Sequence, residues 1–380
     1  MLLFTEQRAT PELPSAPSSD RLKLAPRKTQ LNDNEFQNAM LQGVSRTFAL
    51  TIPQLPPALC RVVSNAYLLC RIVDTIEDEP ALSAVQKSYF CQQFLTALNS
   101  SQNAERFSRQ LGGLLSSQTI PAEQELIRNV GRVTRITRSF SKPQRQALEH
   151  CVRTMAKGMA EFQLKGEVET LNDLDEYCYY VAGVVGQMLT SLFCIYSPQI
   201  AKKRDALMQL AISFGQGLQM TNILKDVWED YQRGACWLPR RVFAQEGFDL
   251  NNLATATNRE GFQRGIRHLI GIAHRHLRNA LSYTLFIPKE ETGVRNFCLW
   301  GLGMAVLTLR KLNTQLSYTS EVKISRRSVK ATILATRFTF QNKALLSLLF
   351  RLAAWPLPLA SPTLGWAVPE PAQNKRKTKT

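Results

Sequence analysis

The sequence predicts an all-α fold, a single-domain helical bundle built around a central cavity, and three observations predict it. Apolar residues recur at helical spacing over Ala58 to Ile76, Gln144 to Phe162, Leu171 to Tyr196, Asp205 to Tyr231, Gly261 to Phe286 and Val294 to Leu312. Strand-like alternation is nearly absent, and the breaks punctuate helices rather than hairpins: Pro53, Pro56 and Pro57, Glu79-Pro80, Ser141 to Pro143, Gly234 to Pro239, and Ile287-Pro288. A chain of 380 residues that is 44% hydrophobic can bury one large core.

In chain order, residues 1–34 read as a disordered leader. Met1 to Gln30 opens on a short apolar run and turns to Pro, Ser and charge, with no secretory apolar core, which points to an intracellular, reducing location. The folded domain is expected over 35–335. The eight cysteines are scattered without CxxC spacing and do not cluster with the four histidines, which argues against a zinc site or a disulfide framework.

Residues 336–380 form a separate C-terminal segment. The net charge of +17 is uneven: from Lys323 to the end there are eleven Lys or Arg against the single acid Glu370. Ala344 to Phe350, Leu352 to Trp355 and Leu364 to Val368 are apolar patches broken by Arg351, Pro356, Pro358 and Pro362, so no clean span of about 20 apolar residues results. Basic and apolar residues together suit a segment resting on an anionic membrane surface, with peripheral association and a cytoplasmic location; a solvated tail beyond one more core helix is the plainer alternative. The basic balance also admits a membrane-surface or nucleic-acid-binding helical protein, but that reading leaves two acidic motifs unexplained, and no nucleic-acid partner is expected.

Those motifs are Asp74-Thr75-Ile76-Glu77-Asp78 and Asp226-Val227-Trp228-Glu229-Asp230, each a DxxED at the end of a long apolar helix. Residues four apart share a helix face, so Asp74 and Asp78 project together, as do Asp226 and Asp230. Carboxylates so concentrated repel one another unless a cation compensates them, and Mg²⁺ is held by one or two carboxylates plus substrate phosphates. Two such arrays facing each other across a bundle would hold a diphosphate through metal ions. Gln219, Asn222 and Asp226 continue one polar stripe through an otherwise apolar helix, which is costly to bury unless it faces a wet or liganded cavity.

At these residues the chain resembles the squalene/phytoene synthase family. Arg71 to Asp78 is similar to its first aspartate-rich motif, and Gly217 to Asp226 with the carboxylates that follow is similar to its second. Ser45-Arg46-Thr47-Phe48, Gly158 to Phe162, and Tyr177 to Gly186 resemble further family elements, all in family order from about Phe36 to about Leu312. The resemblance implies a class-I isoprenoid synthase bundle, acting as a monomer, that condenses two farnesyl diphosphates. It implies metal binding by Asp74, Asp78, Asp226 and Asp230, with Mg²⁺ or alternatively Mn²⁺. Ser45, Arg46, Arg71, Lys225 and Arg233 would bind or neutralise diphosphate, with Gln219 and Asn222 beside them, and guanidinium suits phosphate oxygens. Tyr177 is expected to assist the proton removal that forms the cyclopropyl intermediate, presqualene diphosphate. A carbocation requires dry walls, for which Phe48, Tyr67, Val181, Val185, Leu189 and Phe297 are the candidates.

Val294-Arg295-Asn296-Phe297-Cys298, followed by Val322 to Arg327, resembles the pattern of the squalene-forming members, which use NADPH. Lys323, Arg326 and Arg327 could meet its phosphates, although no Gly-x-Gly-x-x-Gly follows a strand. The chain departs from that pattern at Gly301-Leu302, where Pro-Gln is usual, and at Ser325, where arginine is common.

Overall fold

The computed structural model describes residues 31–254, 259–316 and 322–360, and no strand occurs among them. The leader before residue 31 and Leu364 to Val368 lie outside the described residues. The first half comprises α1 (Asp33–Val44), α2 (Arg46–Thr51), α3 (Pro57–Asp78), α4 (Ala84–Ala97), α5 (Ser101–Gly112), α6 (Pro121–Arg128), α7 (Val130–Arg138) and α8 (Lys142–Lys165). There follow α9 (Leu171–Cys178), a π-turn over Tyr179–Gly183, α10 (Val184–Tyr196), α11 (Pro198–Ala201), α12 (Arg204–Gln232), α13 (Arg240–Gln245), α14 (Arg259–Phe286), α15 (Thr292–Thr314), α16 (Arg326–Thr339) and α17 (Lys343–Ala354).

The helix starts are written in the sequence. Asn32, Ser83, Ser141 and Thr170 each form a reciprocal capping box with the residue three positions on, satisfying backbone donors that the first turn would leave open. Proline occupies the first turn of α3, α6, α8 and α11, where its missing N–H costs nothing.

The 29-residue α12 runs through the middle of the molecule, packed along α14, α10, the π-turn and α15. Across the core, α3 packs on α1 and α8 and is buried along almost its whole length. The approach of α12 to its neighbours is unusually close. A Cβ on Gly215 would lie 2.1 Å from the Ala182 carbonyl oxygen, and one on Gly186 would lie 2.2 Å from that of Ala211, so only glycine permits this contact.

Continuous helix runs over Leu171–Tyr196 through the π-turn. It is the one segment among the described residues long and apolar enough to cross a membrane, but half of it is buried inside the fold. The expected boundary between 335 and 336 falls within α16, because α16 and α17 pack as a pair onto α15.

Candidate active site

The two acidic motifs come together. Asp74, Glu77 and Asp78 occupy the last turns of α3, while Asp226 and Asp230 occupy the last turns of α12, with Arg233 at its C-cap. The Arg233 guanidinium joins them: one nitrogen lies 3.7 Å from Asp78 Oδ1, and the other donates to Asp230 Oδ1. Asp74, Asp226 and Asp230 are buried. Burial pushes the Asp226 carboxyl up to about 7 in spite of Lys225, whose Nζ lies 2.7 Å from its Oδ1. Burial likewise carries Asp230 up to about 6 against the opposing charge of Arg233, and raises Asp74 above the usual range. This is a charge cluster held in a poor solvent for charge, the condition under which carboxylates take up a proton or a cation.

Cations surround the cluster. Arg71 is buried and ion-paired with Glu123 of α6. Burial works against its charge, but Glu123, Tyr67, Asp74 and Asp78 more than offset that and hold the guanidinium protonated. Lys87 of α4 donates to the Glu77 backbone carbonyl, and lies 3.3 Å from Gln163 Oε1 of α8. Lys225 is completely enclosed.

Tyr177 reaches this centre from α9. Its hydroxyl is 3.5 Å from Glu77 Oε1, its ring stacks on Trp237 at 4.0 Å and 8°, and Phe162 meets it edge-on at 5.4 Å. Burial, aided by Glu77 and Asp78, pushes the phenol well above its ordinary range, and burial pushes Glu77 up to about 8. Sequence reasoning assigned no role to Glu77, Trp237, Lys87 or Glu123. Glu77 stands inside the DxxED itself and could have been read from it; Trp237 arrives from a loop, and only the fold brings it to Tyr177.

One turn from the carboxylates the surface changes character. Gln219 and Asn222 line the end of a cavity whose other walls are nearly all apolar, among them Phe48, Val185, Leu189, Phe193, Phe214 and Phe297. The space between these walls, open mouth included, is about 760 Å³, and its apolar lining with a few polar groups at one end is the pattern of a site for an organic ligand. Phe193 and Phe297 meet edge-on at 6.1 Å across it.

Two expected wall residues are elsewhere. Val181 lies inside the π-turn, is fully buried and does not line this cavity, whereas Ala182 and Val185 do; the wider turn shifts the four-residue register that would keep Val181 and Val185 on one face. Tyr67 stands behind the wall, its ring 5.0 Å from that of Phe48 and its hydroxyl donating to the Val44 carbonyl at 3.3 Å. Ser45 caps α2, its Oγ accepting the Phe48 N–H at 3.0 Å. Arg46 opens α2, and its side chain lies outside the described residues. Lys323 is half-buried, while Arg326 and Arg327 are exposed in the first turn of α16, whose packing neighbours are α15 and α17.

The donor set at the helix ends suits Mg²⁺ or Mn²⁺: hard oxygens only, with Gln219 Oε1, Asn222 Oδ1 and Asp226 Oδ2 buried and without a hydrogen-bond partner. No three His, Cys, Asp or Glu side chains among the described residues converge into a cage, so a cation held here would complete its shell with water or with ligand oxygens. The cationic side chains of Lys323, Arg326 and Arg327 have the donor chemistry for NADPH phosphates.

The squalene/phytoene synthase family model matches residues 41–328. The chain is similar to the squalene synthase of Gibberella zeae, at 28% identity over 277 residues, which cover 71% of this chain and 56% of that protein; the chain thus spans little more than half of that relative. It is also similar to the squalene synthase of Candida albicans, at 31% identity over 329 residues, 83% of this chain and 71% of that protein. Among solved structures, a complex of TcSQS with a ligand superposes with a TM-score of 0.65 at 25% identity, covering 85% of this chain and 97% of that one.

Proposed function

The chain belongs to the squalene/phytoene synthase family, and on that premise we propose that it joins two farnesyl diphosphates into presqualene diphosphate and reduces that intermediate to squalene at a membrane surface. The observation that carries the proposal is the meeting of two buried carboxylate arrays, clamped by Arg233, one helical turn from a cavity with apolar and aromatic walls.

In the first half-reaction one allylic C–O bond breaks, diphosphate leaves, the double bond of the second substrate attacks the cation, and a proton is lost as the cyclopropane closes. Mg²⁺, held by Asp74, Asp78, Asp226 and Asp230, would neutralise the leaving diphosphate. Arg71, Lys225 and Arg233 place further positive charge where negative charge develops, and they are oriented before the reaction by their carboxylate partners. The aromatic rings of Phe48, Phe193, Phe214 and Phe297 exclude water and offer π-faces to the cation. Tyr177, a protonated phenol held flat by Trp237 with its hydroxyl donating to Glu77, would assist the proton loss as a relay, passing its own proton to the Glu77 carboxylate as its oxygen takes up the substrate's. In the second half-reaction NADPH, engaged by Lys323, Arg326 and Arg327, would supply the hydride that replaces the remaining diphosphate.

The test is to incubate the purified protein with farnesyl diphosphate and Mg²⁺, with and without NADPH, and to identify the extracted products by mass spectrometry. Squalene formed only with NADPH supports the proposal, and no turnover of farnesyl diphosphate overturns it. Loss of turnover is expected for Asp74→Ala and Asp226→Ala alike. One observation favours a second reading: Gly301, where the chain departs from the squalene-forming pattern, lies on the cavity wall. Dehydrosqualene or presqualene diphosphate formed regardless of NADPH would place the chain with the reductant-independent members, and turnover of a C20 prenyl diphosphate in preference to farnesyl diphosphate would place it with the phytoene-forming ones.

A further inference from the structure

We propose that the outer face of α17 seats the protein on an anionic lipid bilayer, with α17 lying in the interfacial layer rather than crossing it. This rests on the reading that the enzyme works at a membrane surface, and it adds the face, the lipid charge and the depth.

A helix packed against a protein core normally shows one apolar and one polar side. On α17, Leu346, Leu349, Phe350 and Ala353 turn toward α15 and α14. Yet the opposite side carries Leu345, Leu348, Leu352 and Trp355, at steps of three, four and three residues, with exposures of 37%, 43%, 60% and 73%. Leu359 beyond the helix end is 45% exposed, and Leu334 of α16 is 58% exposed. Such a contiguous apolar stripe on an otherwise water-facing surface marks a contact.

Charge selects the occupant. Residues 322–360 contain seven Lys or Arg and no Asp or Glu, and Lys343 and Arg351 are exposed on α17 itself. A second copy docked face to face would bring these like charges together, whereas anionic headgroups would be attracted to them. Length sets the depth: the 12 residues of α17 extend about 18 Å at 1.5 Å each, too short for a hydrocarbon layer of about 30 Å. Trp355 at the helix end has the amphipathic ring that favours the headgroup level. Beside the stripe, a groove with an empty volume of about 750 Å³ between α15, α16 and α17 is lined by Leu299, Val306, Ala335, Leu349 and Phe350, giving this face an apolar recess for a lipid chain.

The experiment is co-sedimentation of the full chain with vesicles of phosphatidylcholine alone or with a quarter phosphatidylglycerol, at about 0.1 M salt and again at about 0.5 M. Binding is expected only to the anionic vesicles and is expected to weaken at high salt. The variant Leu348→Ser/Leu352→Ser/Trp355→Ser, which leaves every charge in place including those of the basic C-terminus, should bind at least about tenfold more weakly, with unchanged turnover in vesicle-free buffer. Lys343→Gln/Arg351→Gln, which keeps the apolar stripe, should also bind more weakly and serves if the triple variant does not fold. The proposal is overturned if the wild type fails to sediment with anionic vesicles, if the folded variants bind as well as the wild type, or if light scattering shows a wild-type dimer that the triple variant converts to monomer. Absence of turnover in vesicle-free buffer counts against the enzymatic reading alone, because sedimentation is scored without it.

Discussion

Divalent-cation binding should weaken about tenfold between pH 8 and pH 6, and the cause is the burial of Asp226. Its carboxyl is raised to about 7, far above the usual carboxylate range, so about one molecule in eleven carries it ionised at pH 6 and about ten in eleven at pH 8. A cation that requires the carboxylate is penalised by that ratio, about 1.4 kcal/mol. If Asp230, raised to about 6, must ionise as well, the ratio grows to about twentyfold. The sign for stability follows from the same shift. Between about pH 4 and 7 the folded protein holds a proton that the unfolded chain has released, so the metal-free protein is favoured by these groups at low pH and loses that contribution as the pH rises toward 7. Saturating cation should reverse the loss. Calorimetric titration of Mn²⁺ into the protein at pH 6, 7 and 8 measures the first effect, and thermal melts with and without Mn²⁺ measure the second. In Asp226→Asn only the roughly twofold dependence due to Asp230 should survive. A half-saturation point that does not move between pH 6 and 8, or that moves equally in Asp226→Asn, would refute the reasoning.

Tyr177→Phe keeps the stack on Trp237 and removes only the hydroxyl, so condensation should fall by about 10²–10⁴-fold while the melting temperature changes little; a loss of under threefold in a product assay would exclude Tyr177 from proton transfer. Gly215→Ala puts a methyl 2.1 Å from the Ala182 carbonyl oxygen, and because that neighbour is backbone the cost should reach or exceed about 1–3 kcal/mol, read as a lowered urea midpoint. Arg233→Gln leaves Asp78 and Asp230 without the guanidinium they share, and should lower turnover at least about tenfold with the helical circular dichroism intact; unaltered turnover would make the clamp structural only.

What the sequence made legible was whatever depends on one helix at a time. The six apolar stretches are α3, α8, the continuous helix from Leu171 to Tyr196, α12, α14 and α15, within a few residues at either end. The placement of Gln219 and Asn222 on the cavity surface follows from 3.6-residue spacing alone. Legibility failed where a neighbour or an irregular turn decides. Val181 and Val185 look equivalent on an ideal helix, and only the π-turn separates the buried one from the wall residue. Tyr67 and Phe48 are both aromatic and both near motifs, but which ring faces the cavity depends on how α2 packs against α1 and α15. The ion pair of Arg71 with Glu123 joins residues more than fifty positions apart, beyond the reach of periodicity.

The same face of α12 explains why charge and cation can coexist. Phe214, Gly215 and Leu218 give it an apolar start, Gln219 and Asn222 a neutral polar middle, and Asp226 and Asp230 an anionic end. In the proposed reaction, a positive centre generated near the middle would lie between two unlike environments. On one side the carboxylates are already committed to cations, with Lys225 on Asp226 and Arg233 on Asp230, so they are poor nucleophiles toward carbon. On the other side rings offer π-density without a lone pair to form a bond. The amide oxygens of Gln219 and Asn222, buried and without hydrogen-bond partners, are acceptors that would ligate a metal ion or accept from water at the diphosphate end of the proposed site. Unpaired buried amides are expensive, and in a site that must stay dry toward the hydrocarbon their cost is relieved when the diphosphate end is filled. Binding and the exclusion of water are thereby linked along one helix face.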